Sequence, residues 1–133
     1  EKAEMKVGVI GVGKMGRNHA RVYGELDAID EVCVYDTDSV KMDDLAGVNV
    51  CESLEELLEH TDAVSVCVPT EDHFGVASAV IESGVHCLIE KPITSRLEEG
   101  EELVRRVEKK RKMMLLIVGV GHIEWFNLCL TIW

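Results

Sequence analysis

The sequence predicts an α/β fold with a doubly wound parallel sheet, and three observations carry that expectation. Apolar runs of about five residues alternate with longer helix-like segments along the chain, as strands do when helices cover both faces of their sheet. A glycine-rich turn joins the first apolar run directly to the first helical segment. The length, 133 residues, suits one domain, which at that size buries about two-thirds of its unfolded surface.

Taken in order, strands are expected near 6–10 (KVGVI), 31–35 (EVCVY), 48–51 (VNVC), 63–68 (AVSVCV), 85–89 (VHCLI) and 114–118 (MLLIV). Helices are expected near 15–26, 39–45, 53–60, 72–83 and 96–112. Ser53 with Glu56, and Ser95 with Glu98, fit the capping box that marks a helix start. The last helix is sorted by charge, with Glu98, Glu99, Glu101 and Glu102 in its first half and Arg105, Arg106, Lys109, Lys110, Arg111 and Lys112 in its second. That order complements the helix dipole, so the basic end reads as a solvated helix end and not as a nucleic-acid patch. Six strands and intervening helices predict the order 3-2-1-4-5-6, with ligand at the carboxyl ends of the first and fourth strands.

The formal net charge is -11. Such a surface repels phosphate backbones and anionic lipid, so neither nucleic acid nor membrane is an expected partner. No run approaches the length of a membrane span, and no signal peptide opens the chain, so a cytoplasmic protein is expected. The cysteines Cys33, Cys51, Cys67, Cys87 and Cys129 show neither a C-x-x-C pair nor zinc spacing. They read as small buried hydrophobes, with no metal site. His19, His60, His86 and His122 read as packed or solvated, His19 lying just past the glycine turn.

The glycine turn is Gly11-Val12-Gly13-Lys14-Met15-Gly16, and its setting between a strand and a helix makes it the dinucleotide fingerprint of the Rossmann fold. Gly11 permits the tight turn, Gly13 lets a pyrophosphate approach bare backbone, and Gly16 lets helix and strand pack closely. The helix amino end supplies N–H groups and partial positive charge, which an anionic ligand needs against an acidic surface. Lys14 adds favourable charge although its motif position points outward, and Met15 completes the loop. Asp36 follows Gly16 by twenty residues, the spacing at which a carboxylate accepts hydrogen bonds from the adenosine ribose. Thr37 and Asp38 come next, with no arginine or lysine among them to receive a 2′-phosphate. A phosphate charge about 4 Å from a carboxylate costs on the order of 4 kcal/mol at an effective dielectric of about 20, so NAD is expected over NADP. Methyltransferases that use S-adenosylmethionine share such a loop and acid, and residues further along must separate the two classes.

Those residues are Pro69-Thr70-Glu71-Asp72-His73 after the fourth strand and Glu90-Lys91-Pro92 after the fifth. With GVIGVGKMGRNHA and VPTEDHFGVASAVIESGVHCLIEKPIT, the chain resembles the glucose–fructose oxidoreductase, inositol dehydrogenase and MocA family of NAD(P)-dependent oxidoreductases over residues 5–121. The stretch VGVGHIE-x-FN further resembles the subgroup acting on UDP-N-acetylglucosamine at the 3-position. The resemblance implies oxidation of a secondary hydroxyl on a sugar, polyol or sugar nucleotide. It implies that Pro69 and Thr70 line the nicotinamide-side ribose, with His73 beside them. Lys91 would lie beside the nicotinamide and the substrate hydroxyl as the catalytic residue, since a cation stabilises developing alkoxide. Glu90 joins the cofactor-side set, more as a structural partner than as a catalyst. Pro92 leaves the preceding bond open to either isomer.

In the family a second domain supplies the substrate pocket and a histidine–aspartate pair. Here residues 1–121 read as the NAD-binding domain and 122–133 as an apolar tail at the start of that second domain. An arginine is expected where Trp125 stands and a proline where Leu128 stands. The tail is expected to pack on the sheet or on another copy, giving a homodimer or higher association. It is also consistent with a shortened or frameshifted gene. The chain alone is expected not to be catalytically competent, and the alternative is a non-catalytic NAD-binding or sensing module.

Overall fold

The computed structural model describes residues 4–121. Six parallel strands form one sheet in the order β3-β2-β1-β4-β5-β6, the doubly wound order expected from the sequence. In chain order they are β1 (Lys6–Ile10), β2 (Glu31–Tyr35), β3 (Asn49–Val50), β4 (Ala63–Val66), β5 (His86–Ile89) and β6 (Val118–Val120). The helices are α1 (Lys14–Gly24), α2 (Leu54–His60), α3 (His73–Glu82) and α4 (Leu97–Arg111).

Alternation along the strands divides the core in two, because successive side chains leave a sheet on opposite faces. Val7, Val9, Val32, Val34, Ala63 and Leu88 join Ala20 and Tyr23 of α1 on one face. Ile10, Cys33, Val64, Val66, Cys87 and Ile89 join Leu57, Ile81 and Leu103 of α2, α3 and α4 on the other. Covered on both sides, β4 and β5 are buried at every residue, and apart from Ser65 and His86 their residues are apolar. Each buried Val, Leu or Ile contributes roughly 1.5–3 kcal/mol. The polar Ser65 in β4 is satisfied by the Tyr23 hydroxyl at 2.6 Å.

Three expectations give way to the structure. The helix expected at 39–45 is a single 3-10 turn at Ser39–Met42, where the Asp38 side chain accepts from the Val40 N–H. Only Met42 of that turn is buried, so no apolar stripe holds a longer helix to the sheet. The final strand is not 114–118 but Val118–Val120. The chain needs residues 112–117 to return from the end of α4, and Arg111 Nε ties that return by donating to the Leu116 carbonyl at 3.0 Å. Met113 and Leu115 are exposed along it while Leu116 is buried, and the apolar run carried no alternation to fix its register. Finally, α4 begins with Arg96 at its cap and no side-chain cap bond. Ser95 Oγ instead donates to Glu99 at 3.4 Å.

The other cap forms as expected: Ser53 accepts from Glu56 N–H at 3.1 Å. The Glu56 carboxylate returns to Glu52 N–H at 2.8 Å, one residue before the cap. β4 stops at Val66, two residues before the expected end, where the chain bends away towards Pro69. No helix among the described residues is long and apolar enough to cross a membrane. Cys33, Cys51, Cys67 and Cys87 are free thiols. The tail at 122–133, with His122, Cys129 and the association expected of it, lies outside the described residues.

Candidate functional site

The glycine turn leaves the carboxyl end of β1 in a conformation open to few residues. Gly11 has φ 92, and a Cβ there would stand 2.7 Å from the Cys67 carbonyl oxygen. A Cβ on Gly16 would meet the Gly11 carbonyl oxygen at 1.7 Å, so α1 crosses the turn at a separation only glycine permits. Gly13 differs from both. Nothing lies within 4 Å of its would-be Cβ, because that side faces a cleft.

Gly13 is also the N-cap of α1 and carries no side-chain cap. The first intrahelical bond runs from Arg17 N–H to the Gly13 carbonyl at 2.9 Å. The N–H groups of Lys14, Met15 and Gly16 therefore precede the helix ladder and aim at the cleft with the positive end of the dipole. A backbone cradle of this kind accepts an anion without a cationic surface.

Asp36, just past β2, is held from two sides. Its Oδ2 accepts the Val12 N–H at 2.8 Å, and its Oδ1 accepts the Asp38 N–H at 2.8 Å. One carboxylate thus ties the glycine turn to the end of β2 and keeps lone pairs for a ligand hydroxyl. Gly11 N–H, donating to the Tyr35 carbonyl at 2.8 Å, makes a second tie.

The cleft between these groups has a volume of about 810 Å³, within the range of small-molecule sites. Of the residues singled out from sequence, Gly11, Gly13, Lys14, Met15, Asp36 and Pro69 line it. Tyr35, Thr37, Lys41 and Leu54 close one end, and Cys67, Val68, Glu71, Asp72, Gly75 and Val76 the other. The strand order sets this layout: Asp36, Gly11, Cys67 and Glu90 follow the adjacent strands β2, β1, β4 and β5. Strands about 4.8 Å apart spread that row over about 14 Å.

The remaining candidates stand off the cleft wall. Gly16 lies buried beneath the turn, and Thr70 opens a 3-10 turn at Thr70–Asp72 that leads into α3. His73 is 2% exposed. Its Nδ1 sits 2.9 and 3.1 Å from the Pro92 and Ile93 carbonyls, and its Nε2 3.0 Å from that of Val68. Glu90 is partly buried, and its partner is a side chain: His19 Nε2 donates to its Oε1 at 2.7 Å. Lys91 is exposed, and the Lys91–Pro92 bond is cis.

Long-range partners were the part sequence reasoning missed. His19 and Glu90 are 71 residues apart, and nothing local in either segment announces the other. Arg17 grips Asp44 with two bonds, at 2.7 and 3.3 Å, and donates to the Lys41 carbonyl at 2.7 Å. The guanidinium lowers the Asp44 carboxyl from its usual range. This grip fixes the short 3-10 turn that brings Lys41 to the cleft, a cation that the Asp-Thr-Asp reading left out. At the other end, burial and then the charge of Glu90 push the Cys67 thiol up to about 12, so it lines the cleft as a neutral group. Among the described residues no cluster of three or more His, Cys, Asp or Glu side chains is placed to hold a metal ion.

Comparison with known proteins agrees with this geometry. Residues 5–123 match the Gfo/Idh/MocA oxidoreductase family, NAD-binding Rossmann fold. The chain is 37% identical over 123 residues to the UDP-N-acetylglucosamine 3-dehydrogenase of Acidithiobacillus ferrooxidans, covering 90% of this chain and 37% of that protein. A solved structure of that enzyme superposes with a TM-score of 0.79 at 36% identity, over 92% of this chain and 40% of the other. The scyllo-inositol 2-dehydrogenase (NADP(+)) of Bacillus subtilis is 33% identical, covering 96% of this chain and 36% of that protein. GenD2 from gentamicin A biosynthesis, solved in complex with NAD, is 28% identical with a TM-score of 0.79, over 89% of this chain and 34% of the other. The chain thus spans a little over a third of the curated relatives it matches.

Proposed function

The chain belongs to the Gfo/Idh/MocA oxidoreductase family, and from that premise we propose that it forms the NAD-binding part of a dehydrogenase oxidising a secondary hydroxyl of a sugar, polyol or sugar nucleotide. The observation that carries this reading is the pairing of an open Gly13 cradle with a fixed Asp36 across one cleft. The cradle suits a pyrophosphate, the carboxylate suits a ribose diol, and the two are joined through the Val12 N–H.

In this reading residues 1–121 are the cofactor domain. Gly11 and Gly16 shape the turn, and Gly13, Lys14 and Met15 present their backbone to the pyrophosphate. Asp36 accepts from the adenosine ribose, and Pro69 and Thr70 border the second ribose. His73 and Glu90 support that end from behind. NAD when bound would supply the hydride acceptor. Lys91 would donate a hydrogen bond to the substrate oxygen as negative charge grows there.

NAD is preferred over NADP in this proposal. A 2′-phosphate about 4 Å from Asp36 meets a repulsion on the order of 4 kcal/mol at a dielectric of about 20, before screening. Lys41 at the same end offsets part of that. A residual of about 1.4 kcal/mol is already tenfold.

A thermal-shift titration with NAD, NADH, NADP and S-adenosylmethionine tests the assignment. A ligand that binds only the native state stabilises it by about 2.7 kcal/mol at a hundredfold excess over Kd. The expected result is a larger shift with NAD or NADH than with NADP. A folded sample that none of the dinucleotides stabilises, or that responds to S-adenosylmethionine alone, overturns it.

A further inference from the structure

We propose that His19, acting through Glu90, is a positioning residue for Lys91; this rests on Lys91 being the nicotinamide-side group. Lys91 is a long, exposed side chain on the connection after β5, so its place over the cleft depends on how that connection is held. The carboxylate of the residue just before it is held from α1. His19 is 1% exposed, and its Nε2 donates to Glu90 Oε1 at 2.7 Å.

The contact does two things at once. It fixes the start of the connection, while the His73 ring contacts the carbonyls of Pro92 and Ile93 just after Lys91. It also draws the Glu90 carboxylate towards α1 and away from the neighbouring ammonium. Lys91 accordingly forms no hydrogen bond or ion pair among the described residues, and its charge is left for a ligand.

The helix that supplies His19 is the one whose amino end forms the anion cradle. At a rise of about 1.5 Å per residue, His19 stands about 7.5 Å along the axis from Lys14. One turn further, Tyr23 anchors the same helix face to β4 through Ser65 at 2.6 Å. α1 therefore sets the distance between the pyrophosphate cradle and the Lys91 connection as a rigid spacer. A pair that only stabilised the fold would have a weaker rationale, since buried polar pairs often contribute little against apolar replacements.

The test separates the two ends of the ligand. ADP reaches only the Asp36 side and the cradle, whereas NADH also reaches Lys91. Kd values for both are measured calorimetrically on wild type, His19→Ala, Glu90→Ala and Glu90→Gln, with circular dichroism as the folding check and NADH emission as the signature of an enclosed nicotinamide. His19→Ala and Glu90→Ala are expected to weaken NADH by at least about tenfold, the order of losing one contact to a charged group, because the Lys91 ammonium stands beside the nicotinamide in this reading. Their ADP affinity should stay within about twofold, as expected for a distant, independent site. Glu90→Gln keeps an acceptor for His19 and should retain most of the NADH affinity. Equal losses for ADP and NADH, or unchanged NADH binding in both alanine variants, overturn the proposal. Should His19→Ala fail to fold, Glu90→Ala carries the comparison, since that side chain is 24% exposed. A wild-type chain that binds neither ADP nor NADH removes the cofactor reading itself, and this proposal with it.

Discussion

Valine at Gly13 separates binding from folding, because the three glycines of the turn sit in different surroundings. The new Cβ has no heavy atom within 4 Å, and the backbone there is extended, with φ -72 and ψ -164, which a β-branched residue adopts readily. The fold loses only the preference of an N-cap for glycine over valine, on the order of 1 kcal/mol or less. For a chain of this size that lowers Tm by about 2–6 °C. Binding loses far more, since the side chain fills the space where a pyrophosphate would meet the N–H groups of the first turn. Hydrogen bonds to a charged group contribute about 1.5–3 kcal/mol each, so losing two weakens NADH by about a hundredfold or more. The control is Gly16→Ala, a smaller change whose Cβ would stand 1.7 Å from a backbone oxygen. Backbone cannot swing aside as a side chain can, so that variant should unfold or melt far below wild type. Calorimetry with NADH and a thermal melt by circular dichroism read both. Near-wild-type NADH affinity in Gly13→Val, or a folded and fully stable Gly16→Ala, would refute the reasoning.

Other perturbations test other groups. Asp36→Ala should weaken NAD and narrow its advantage over NADP, because it removes a carboxylate and frees the Val12 and Asp38 N–H groups; unchanged affinities for both would show that the ribose is bound elsewhere. Tyr23→Phe leaves the buried Ser65 hydroxyl without its 2.6 Å partner and should cost about 1–3 kcal/mol in urea unfolding, most of it recovered by adding Ser65→Ala. Burial lowers the pKa of His86, with Asp62 opposing, and its Nδ1 accepts the Ile117 N–H at 3.0 Å. The folded state therefore resists the proton that the unfolded state takes up. The His86 contribution is fully present above the unfolded value of about 6.5 and is lost as pH falls through the depressed folded value. His86→Gln should flatten the decline in urea stability between about pH 7.5 and 5.5, and an identical decline in both chains would remove the argument.

Features set by local chemistry were legible in the sequence. β1, β2 and β5 declare themselves by apolar composition between turn residues, Ser53 by its capping pattern, and the glycine turn by its place between strand and helix. Asp36 was readable because chain connectivity fixes its spacing from Gly16. What stayed hidden was set by distance in space. Leu115 and Leu116 look alike in sequence, yet one is 63% and the other 2% exposed, since only the return from α4 decides which turns inward. His73 suggested a ligand-facing side chain, but three carbonyls from two separate segments surround its ring. Lys41 reaches the cleft only because Arg17 and Asp44 hold its turn against α1.

An acidic chain that binds an anion needs attraction that acts at short range. A net charge of -11 raises a repulsive field, but salt screens exposed charges beyond about 8 Å at physiological ionic strength. Within that distance the cleft offers the amino end of α1 and the side chains of Lys14 and Lys41. The N–H groups are fixed by the fold and need no reorganisation to receive a phosphate. The acids on the cleft wall have separate places: Asp36 is committed to the Val12 and Asp38 N–H groups, and Glu71 and Asp72 stand on the 3-10 turn before α3. Charges of both signs thus share the cleft wall, with Lys41 beside Asp36 at one end and Glu71 and Asp72 at the other, so the fixed N–H groups at the amino end of α1 carry the short-range attraction an anion needs.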